Sequence, residues 1–171
     1  IDYYRSILLL DETHMESITS LESLLRRFER NEDLAELLRR KVHLAKGAIE
    51  RSDILFELAH IAIERLGDFH TGLDDLQSSI QEHPENEKAK ESMENMLHRD
   101  DLVDAPVIQR RIVEFLLPYH QEAGNWEKVV YLHSLEADLH EDPTYRAERF
   151  ADIGRVWEER LNDKGMAFQS Y

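Results

Sequence analysis

Apolar residues recur at intervals of three and four along almost the whole chain. This spacing places them on one face of an α-helix, whereas a half-buried strand would alternate at every second residue. Short polar clusters and Gly or Pro residues interrupt the pattern where helices would end. The sequence therefore predicts an all-α chain of about nine or ten helices, with short turns that make neighbouring helices antiparallel. Clear examples are Leu21, Leu24, Leu25 and Phe28, and later Phe150, Ile153, Val156 and Trp157.

The composition excludes several classes of protein. The chain has 171 residues, the size of one domain, and its 6 Gly and 4 Pro are too few for the turns of an all-β fold. It has no cysteine, which excludes disulfide scaffolds, thiolate zinc sites and cysteine nucleophiles. Asp and Glu (36) outnumber Lys and Arg (21), and the net charge of -15 would repel nucleic acids and anionic membrane surfaces. We therefore expect no nucleic acid and no membrane as partner.

The sequence repeats itself at shifts of 95 and 72 residues. Repetition on this scale indicates stacked helical hairpins. The difference between the two shifts predicts one inserted helix at about residues 105–123. The matched segments are Glu64–Asp68 with Glu159–Asp163, Ala59 with Gly154 and Gly72 with Ala167 at a shift of 95, and Leu8–Leu25 with Ile80–Leu97 at a shift of 72.

One segment resembles a known family of helical repeats. Residues 56–86 contain small Ala59 in a first helix, a Gly67-Asp68-Phe69 turn, small Gly72 in a second helix and a closing proline. This order resembles the tetratricopeptide repeat (TPR), and Gly124-Asn125-Trp126 repeats its turn. Ala59 stands one residue further from Gly67 than in the TPR pattern, which predicts a longer first helix. The resemblance implies an α-solenoid of antiparallel hairpins in a right-handed superhelix, similar to long bacterial repeat arrays.

Both ends of the sequence fall inside a hairpin by this comparison, because Ile1 corresponds to Leu73 and Tyr171 to Leu76. Solenoids normally end in polar capping repeats, and neither end of the sequence shows that pattern. We therefore expect residues 1–171 to form a single TPR-like domain cut from a longer array. Its cut faces should expose apolar surface and favour self-association.

The sequence offers little support for catalysis. Glu57-Leu58-Ala59-His60 has the Glu-x-x-His spacing of di-iron bundles, but the nearest second pair falls at a helix break. The sequence contains neither a nucleophile elbow nor a Gly-rich phosphate loop. We expect no enzyme activity, no metal and no cofactor, and we keep an all-helical metalloenzyme as an alternative.

Arginines cluster at Arg26-Arg27, Arg39-Arg40 and Arg110-Arg111. Salt bridges along helix surfaces explain them most simply, because Glu22 precedes Arg26 by four residues. The alternative is a set of clamps for a carboxylate-bearing peptide.

The TPR resemblance implies a protein-interaction scaffold, in which the first helices of the hairpins line a concave surface that binds a peptide or helical partner. Acidic residues outnumber arginines among the predicted groove positions, so we expect a partner with basic or amide groups. A structural spacer within a large multi-repeat protein is the alternative. The predicted partner-binding residues are Asp53, His60, Glu64, Arg110, His120, Glu148, Arg155 and Glu159.

Overall fold

The structure, a computed structural model, describes residues 1–103 and 105–171, and helices are the only regular elements in these ranges. The all-α class predicted from the periodicity is confirmed. None of the described helices combines the length and the apolar character needed to span a membrane. The α-helices are α1 (Asp2–Leu10), α2 (Met15–Arg27), α3 (Asn31–Leu44), α4 (Ala48–Ile61), α5 (Phe69–Glu82), α6 (Glu87–Met96), α7 (Pro106–Ala123), α8 (Trp126–Asp138), α9 (Pro143–Glu159) and α10 (Lys164–Ser170), with a π-helical turn at Ala62–Leu66 and a 3-10 turn at Asp100–Leu102.

The described residues form two compact units, residues 1–92 and residues 93–171, with the boundary inside α6. The single domain over 1–171 stays a prediction, and buried side chains occur in both units. Successive helices from α1 to α5 contact one another in unit 1, and successive helices from α7 to α10 do so in unit 2. The core of unit 1 includes Leu8, Ile18, Leu21, Leu25, Leu34, Leu37, Leu38, Ile54, Leu58 and Ile61, and buried residues of unit 2 include Leu102, Ile112, Leu116, Val129, Leu132, Ile153 and Ala167.

Four helix ends reverse the chain through a residue in the left-handed conformation. Such a residue lets the backbone N–H groups beyond the helix reach its last free carbonyl oxygens. Glycine and asparagine take this conformation at low cost, and three of the four positions carry one of them. Each reversal joins the two helices of a hairpin: α2 to α3, α4 to α5, α7 to α8 and α9 to α10. The residues are Glu29 (φ 52°), Gly67 (φ 67°), Gly124 (φ 73°) and Asn162 (φ 54°).

These turns show that the two units are copies of one arrangement. Glu29 precedes Gly124 by 95 residues, and Gly67 precedes Asn162 by the same distance. Helices α3, α4 and α5 also begin 95 residues before α8, α9 and α10. The hydrogen bonds match within each pair of turns: Arg30 N to Leu25 O and Asn125 N to His120 O, both 2.9 Å, and Asp68 N to Ala62 O (2.9 Å) and Asp163 N to Trp157 O (2.8 Å).

The helix at about 105–123, predicted to be an insertion, is part of the repeated arrangement. α7 covers these residues, but it ends in the same left-handed turn as α2, so the two helices are counterparts and no helix is inserted there. The shift of 72 had paired α2 with α6 instead. The end of α6 carries short 3-10-type bonds, such as Leu97 N to Glu94 O at 3.0 Å. Apolar periodicity is common to all these helices, and only the turn geometry distinguishes their partners.

α4 continues into the π-helical turn, which holds one more residue than an α-helical turn. Ile63 in this turn packs directly on Gly72 of α5. A Cβ atom at Gly72 would lie 2.4 Å from Ile63 Cγ1 and 3.3 Å from Ala59 O. The close contact between α4 and α5 therefore requires glycine at this position.

A buried polar contact also joins α4 to α5. The hydroxyls of Ser52 and Ser79, both fully buried, each donate to the backbone carbonyl of the other at 2.8 Å. The side-chain amide of Asn86 donates to Ser52 Oγ at 2.9 Å, and its Oδ1 accepts from Ala89 N in the first turn of α6. Because buried hydroxyls need partners, this network holds the two helices at a set distance.

Gly72→Ala should destabilise unit 1 by about 1–3 kcal/mol, because the added methyl group overpacks the contact with Ile63. Helix propensity alone predicts that the same substitution in a helix interior raises the free energy of unfolding by about 1 kcal/mol. The sign of the measured change therefore distinguishes overpacking from helix propensity. Chemical denaturation measures the effect. Gly47→Ala is the control, since a Cβ atom there meets nothing within 4 Å. A stabilised Gly72→Ala variant would contradict the described helix contact.

Candidate functional site

The predicted site residues of unit 1 lie along α4 and the π-helical turn. Asp53 and His60 are exposed on α4, and Glu64 is exposed in the turn. Asp53 lines an open groove with a cavity volume of about 560 Å³, which we call the acidic groove. Its lining residues are Lys41, Gly47, Ile49, Glu50, Asp53, Ile54 and Glu57.

Three carboxylates form a row along the acidic groove. Glu50, Asp53 and Glu57 follow one another at three and four residues, so they share one face of α4 with about one carboxylate per helical turn. Glu57 also forms a salt bridge with Arg26 of α2. Beside the row, Ile49 is 60% exposed. The groove thus combines repeated negative charge with accessible apolar surface.

In unit 2, Arg155 and Glu159 lie together in an open groove of about 500 Å³, which we call the arginine groove. Glu148 is exposed on the same helix, outside the lining of this groove. Arg110 lies one turn after the start of α7, where its Nε donates to Pro106 O at 3.3 Å. The arginine groove is lined by Leu117, Gln121, Trp126, His133, Arg149, Asp152, Arg155, Val156, Glu159 and Arg160.

The structure corrects the predicted exposure of His120, which is only 2% exposed. His120 follows Val113 and Leu116 at intervals of three and four, so the apolar stripe of α7 carries it into the interior. Its Nε2 lies 3.0 Å from Glu94 Oε1, and the same carboxylate accepts a hydrogen bond from Lys128 at 2.7 Å. These contacts satisfy a buried ring, which makes His120 part of the packing of unit 2.

Within the arginine groove, Asp152 holds two arginines side by side. Arg149 Nη2 lies 2.9 Å from Asp152 Oδ2, and Arg155 pairs with the other carboxylate oxygen. The guanidinium carbon of Arg160 lies 4.7 Å from the centroid of the Trp126 ring, a cation–π contact. The predicted site residues do not include Arg149, Arg160 or Trp126. These three residues are far apart in the sequence, so no local motif connects them.

Glu136 of α8 connects the arginine groove to the packing behind it. The Tyr145 hydroxyl donates to Glu136, and Arg149 Nη1 and His133 Nδ1 lie 3.6 Å and 3.3 Å from its Oε2. Arg149 also lies over the Tyr145 ring, 5.1 Å from its centroid. Burial, together with the hydrogen bond to Glu136, raises the pKa of Tyr145 to about 12. Arg149 is therefore held in place by side chains of both α8 and α9.

The basic runs of unit 1 pair with carboxylates of the same unit. Arg39 reaches from α3 to Asp75 of α5, where burial raises the pKa of the carboxyl group despite this partner. These contacts favour the salt-bridge interpretation over the clamp interpretation for unit 1. The other pairs are Arg26 with Glu22 at 2.7 Å and Arg40 with Glu36 at 2.8 Å.

Glu57 and His60, the pair with di-iron spacing, belong to no larger ligand set. Across residues 1–103 and 105–171, no group of three or more His, Asp and Glu side chains is placed to hold a metal ion. The Glu57 carboxylate instead contacts Arg26.

No protein-family model matches this chain, and no curated protein matches its sequence. The TPR resemblance therefore stays a prediction that depends on the small residues and the turns.

Tyr145→Phe should reduce the loss of stability at alkaline pH. A tyrosine titrates near pH 10 in the unfolded chain but near 12 in the folded one, so its ionisation favours unfolding as the pH rises from about 10 towards 12. Thermal melts over this pH range measure the effect, with the exposed Tyr131→Phe on α8 as control. Equal alkaline losses in wild type and Tyr145→Phe would show that the hydroxyl is not held as described.

Proposed function

We propose that this chain is a non-catalytic scaffold that binds a segment of a partner protein in the acidic groove. The observation that carries the proposal is the row formed by Glu50, Asp53 and Glu57 beside exposed Ile49. Such a surface offers recognition elements for a peptide and no group poised for a covalent reaction.

The chemistry of the row favours a basic partner. Carboxylates on successive helical turns recur at about 5.4 Å, which suits lysine or arginine side chains spaced along a peptide or a second helix. Ile49 offers contact to an apolar side chain between them. The net charge of -15 adds long-range attraction that speeds the encounter with a basic segment.

The TPR resemblance supports the same surface. α4 is the first helix of the α4–α5 hairpin, and the resemblance assigns partner binding to first helices. Recurrence of the same hairpin turn in both units supports an interpretation as stacked helical repeats.

Binding can be tested with three fluorescein-labelled peptides that carry Lys, Gln or Glu at the same positions, with Leu, Ala and Ser elsewhere. We expect the lysine probe to bind more tightly than the glutamine probe, because only its ammonium groups pair with the row. Asp53→Lys should weaken it by about tenfold or more, equivalent to roughly 1.4 kcal/mol. Fluorescence anisotropy at low and moderate salt provides the affinities.

Glu85→Lys is the matched control, because it changes the net charge equally at an exposed residue between α5 and α6. If both variants weaken the lysine probe to the same extent, bulk charge explains the binding and the acidic groove has no specific role. If the lysine probe binds no more tightly than the glutamine probe, the proposal is wrong.

A second candidate function is a structural segment within an assembly of repeats. Large apolar side chains that are exposed on α1 and on α10 favour this function. Leu10 is 92% exposed and Phe168 is 84% exposed. Tyr3 and Leu9 are also exposed on α1, and Met166 on α10. Exposed apolar patches of this kind mark contact surfaces. We propose that these two faces drive self-association of the chain.

Sedimentation velocity over a concentration series tests this second proposal. The wild-type chain should associate as the concentration rises, and Leu10→Glu and Phe168→Glu should each keep it monomeric by placing a charge in the contact. Val107→Glu, which alters an exposed apolar residue of α7, should leave the association unchanged. A wild-type chain that is monomeric throughout would contradict the proposal.

A further inference from the structure

The internal duplication relates the arginine groove to a surface of unit 1 that includes Ile54 and Glu57 of the acidic groove. At the shift of 95 residues, Gln121 stands in place of Arg26, and Asp152 in place of Glu57. In unit 1 the salt bridge between Arg26 and Glu57 joins α2 to α4. Gln121 has no charge to form the equivalent bridge, and Asp152 pairs with two arginines of its own helix instead.

The same comparison shows which side chains the second copy has and the first lacks. They are an indole and two guanidinium groups, and all three line the arginine groove. Such groups recognise anions and planar or apolar surfaces. The differences are Trp126 in place of Asn31, Arg149 in place of Ile54 and Arg155 in place of His60.

We propose that the arginine groove binds an acidic segment of a partner protein. Arg155 and Arg160 contact its carboxylates, and Leu117 and Val156 contact an adjacent apolar side chain. The proposal rests on the proposed function as a protein-binding scaffold, and it assigns a second site whose charge is opposite to that of the acidic groove.

The accessible donors lie on Arg155 and Arg160. The side chain of Arg155 is 62% exposed, and Asp152 occupies only part of its five N–H donors. Arg160 forms no salt bridge with any residue that the structure describes, and its guanidinium plane is supported by Trp126. A carboxylate can therefore approach either group in the bidentate geometry that guanidinium favours.

The charge of the arginine groove favours an anionic segment. Arg149, Arg155 and Arg160 face Asp152 and Glu159, which leaves one net positive charge among the lining residues. The apolar lining residues Leu117 and Val156 suit a peptide that alternates acidic and apolar side chains.

The three peptides defined above also test this inference. We expect the glutamate probe to bind more tightly than the glutamine probe and to be released as salt screens the ion pairs. Arg155→Gln and Arg160→Gln should each weaken it by about tenfold or more. Arg155→Lys should retain part of the affinity, because the charge stays while the guanidinium fork is lost.

Arg146→Gln is the matched control, since it removes an exposed arginine of the same helix, α9, that lies outside the groove lining. Arg149 is left unchanged because it packs on Tyr145. A melting temperature close to that of the wild type shows that each variant is folded.

Several outcomes would overturn the inference. These are equal affinity for the glutamate and glutamine probes, equal weakening by Arg146→Gln, or displacement of the glutamate probe by a single-stranded oligonucleotide at lower concentration than by the unlabelled peptide. The two proposals fail separately. Loss of lysine-probe binding in Asp53→Lys with glutamate-probe binding intact supports both grooves, whereas a chain that binds neither probe contradicts the scaffold itself.

Discussion

The left-handed residue at the end of each hairpin's first helix is the constraint on which the rest of this structure depends. It reverses the chain within a few residues and satisfies carbonyl groups that the helix end leaves free. Because Gly67 and Asn162 occur at equivalent positions, the hairpins α4–α5 and α9–α10 begin from the same geometry. The close contact of Gly72 with Ile63 and the serine pair between α4 and α5 are possible only after that reversal brings the helices together.

The duplication separates what the fold requires from what the surface is free to change. Helix starts and turn hydrogen bonds agree between the copies at 95 residues, whereas the groove side chains differ in type and charge. One pair of residues illustrates how the groove side chains differ between the two copies. A salt bridge joins Arg26 to Glu57 in unit 1, whereas Gln121 carries no charge to form the equivalent bridge with Asp152 in unit 2. The same helical arrangement thereby carries two grooves whose lining residues have opposite net charge.

Arginine–carboxylate pairs serve two purposes in this acidic chain. In unit 1 they tie helices together, as Arg39 does with Asp75, or pair along one helix, as Arg40 does with Glu36. In unit 2, Asp152 keeps Arg149 and Arg155 adjacent and exposed to a groove. Local spacing in the sequence predicts pairs such as Arg149 with Asp152, three residues apart, but not Arg39 with Asp75, which lie 36 residues apart. The helix that packs against an arginine decides whether its carboxylate partner joins two helices or holds the arginine at a groove.

The sequence by itself determined the helical class, the turn positions and the repeat at 95 residues, because apolar periodicity and turn residues act over a few neighbouring positions. It also placed Asp53, Arg155 and Glu159 on exposed helix faces. The burial of His120, the match of α7 with α2 and the gathering of Trp126, Arg149 and Arg160 were decided by the tertiary structure. These features depend on which faces of separate helices meet, and that is set by packing between residues far apart in the chain.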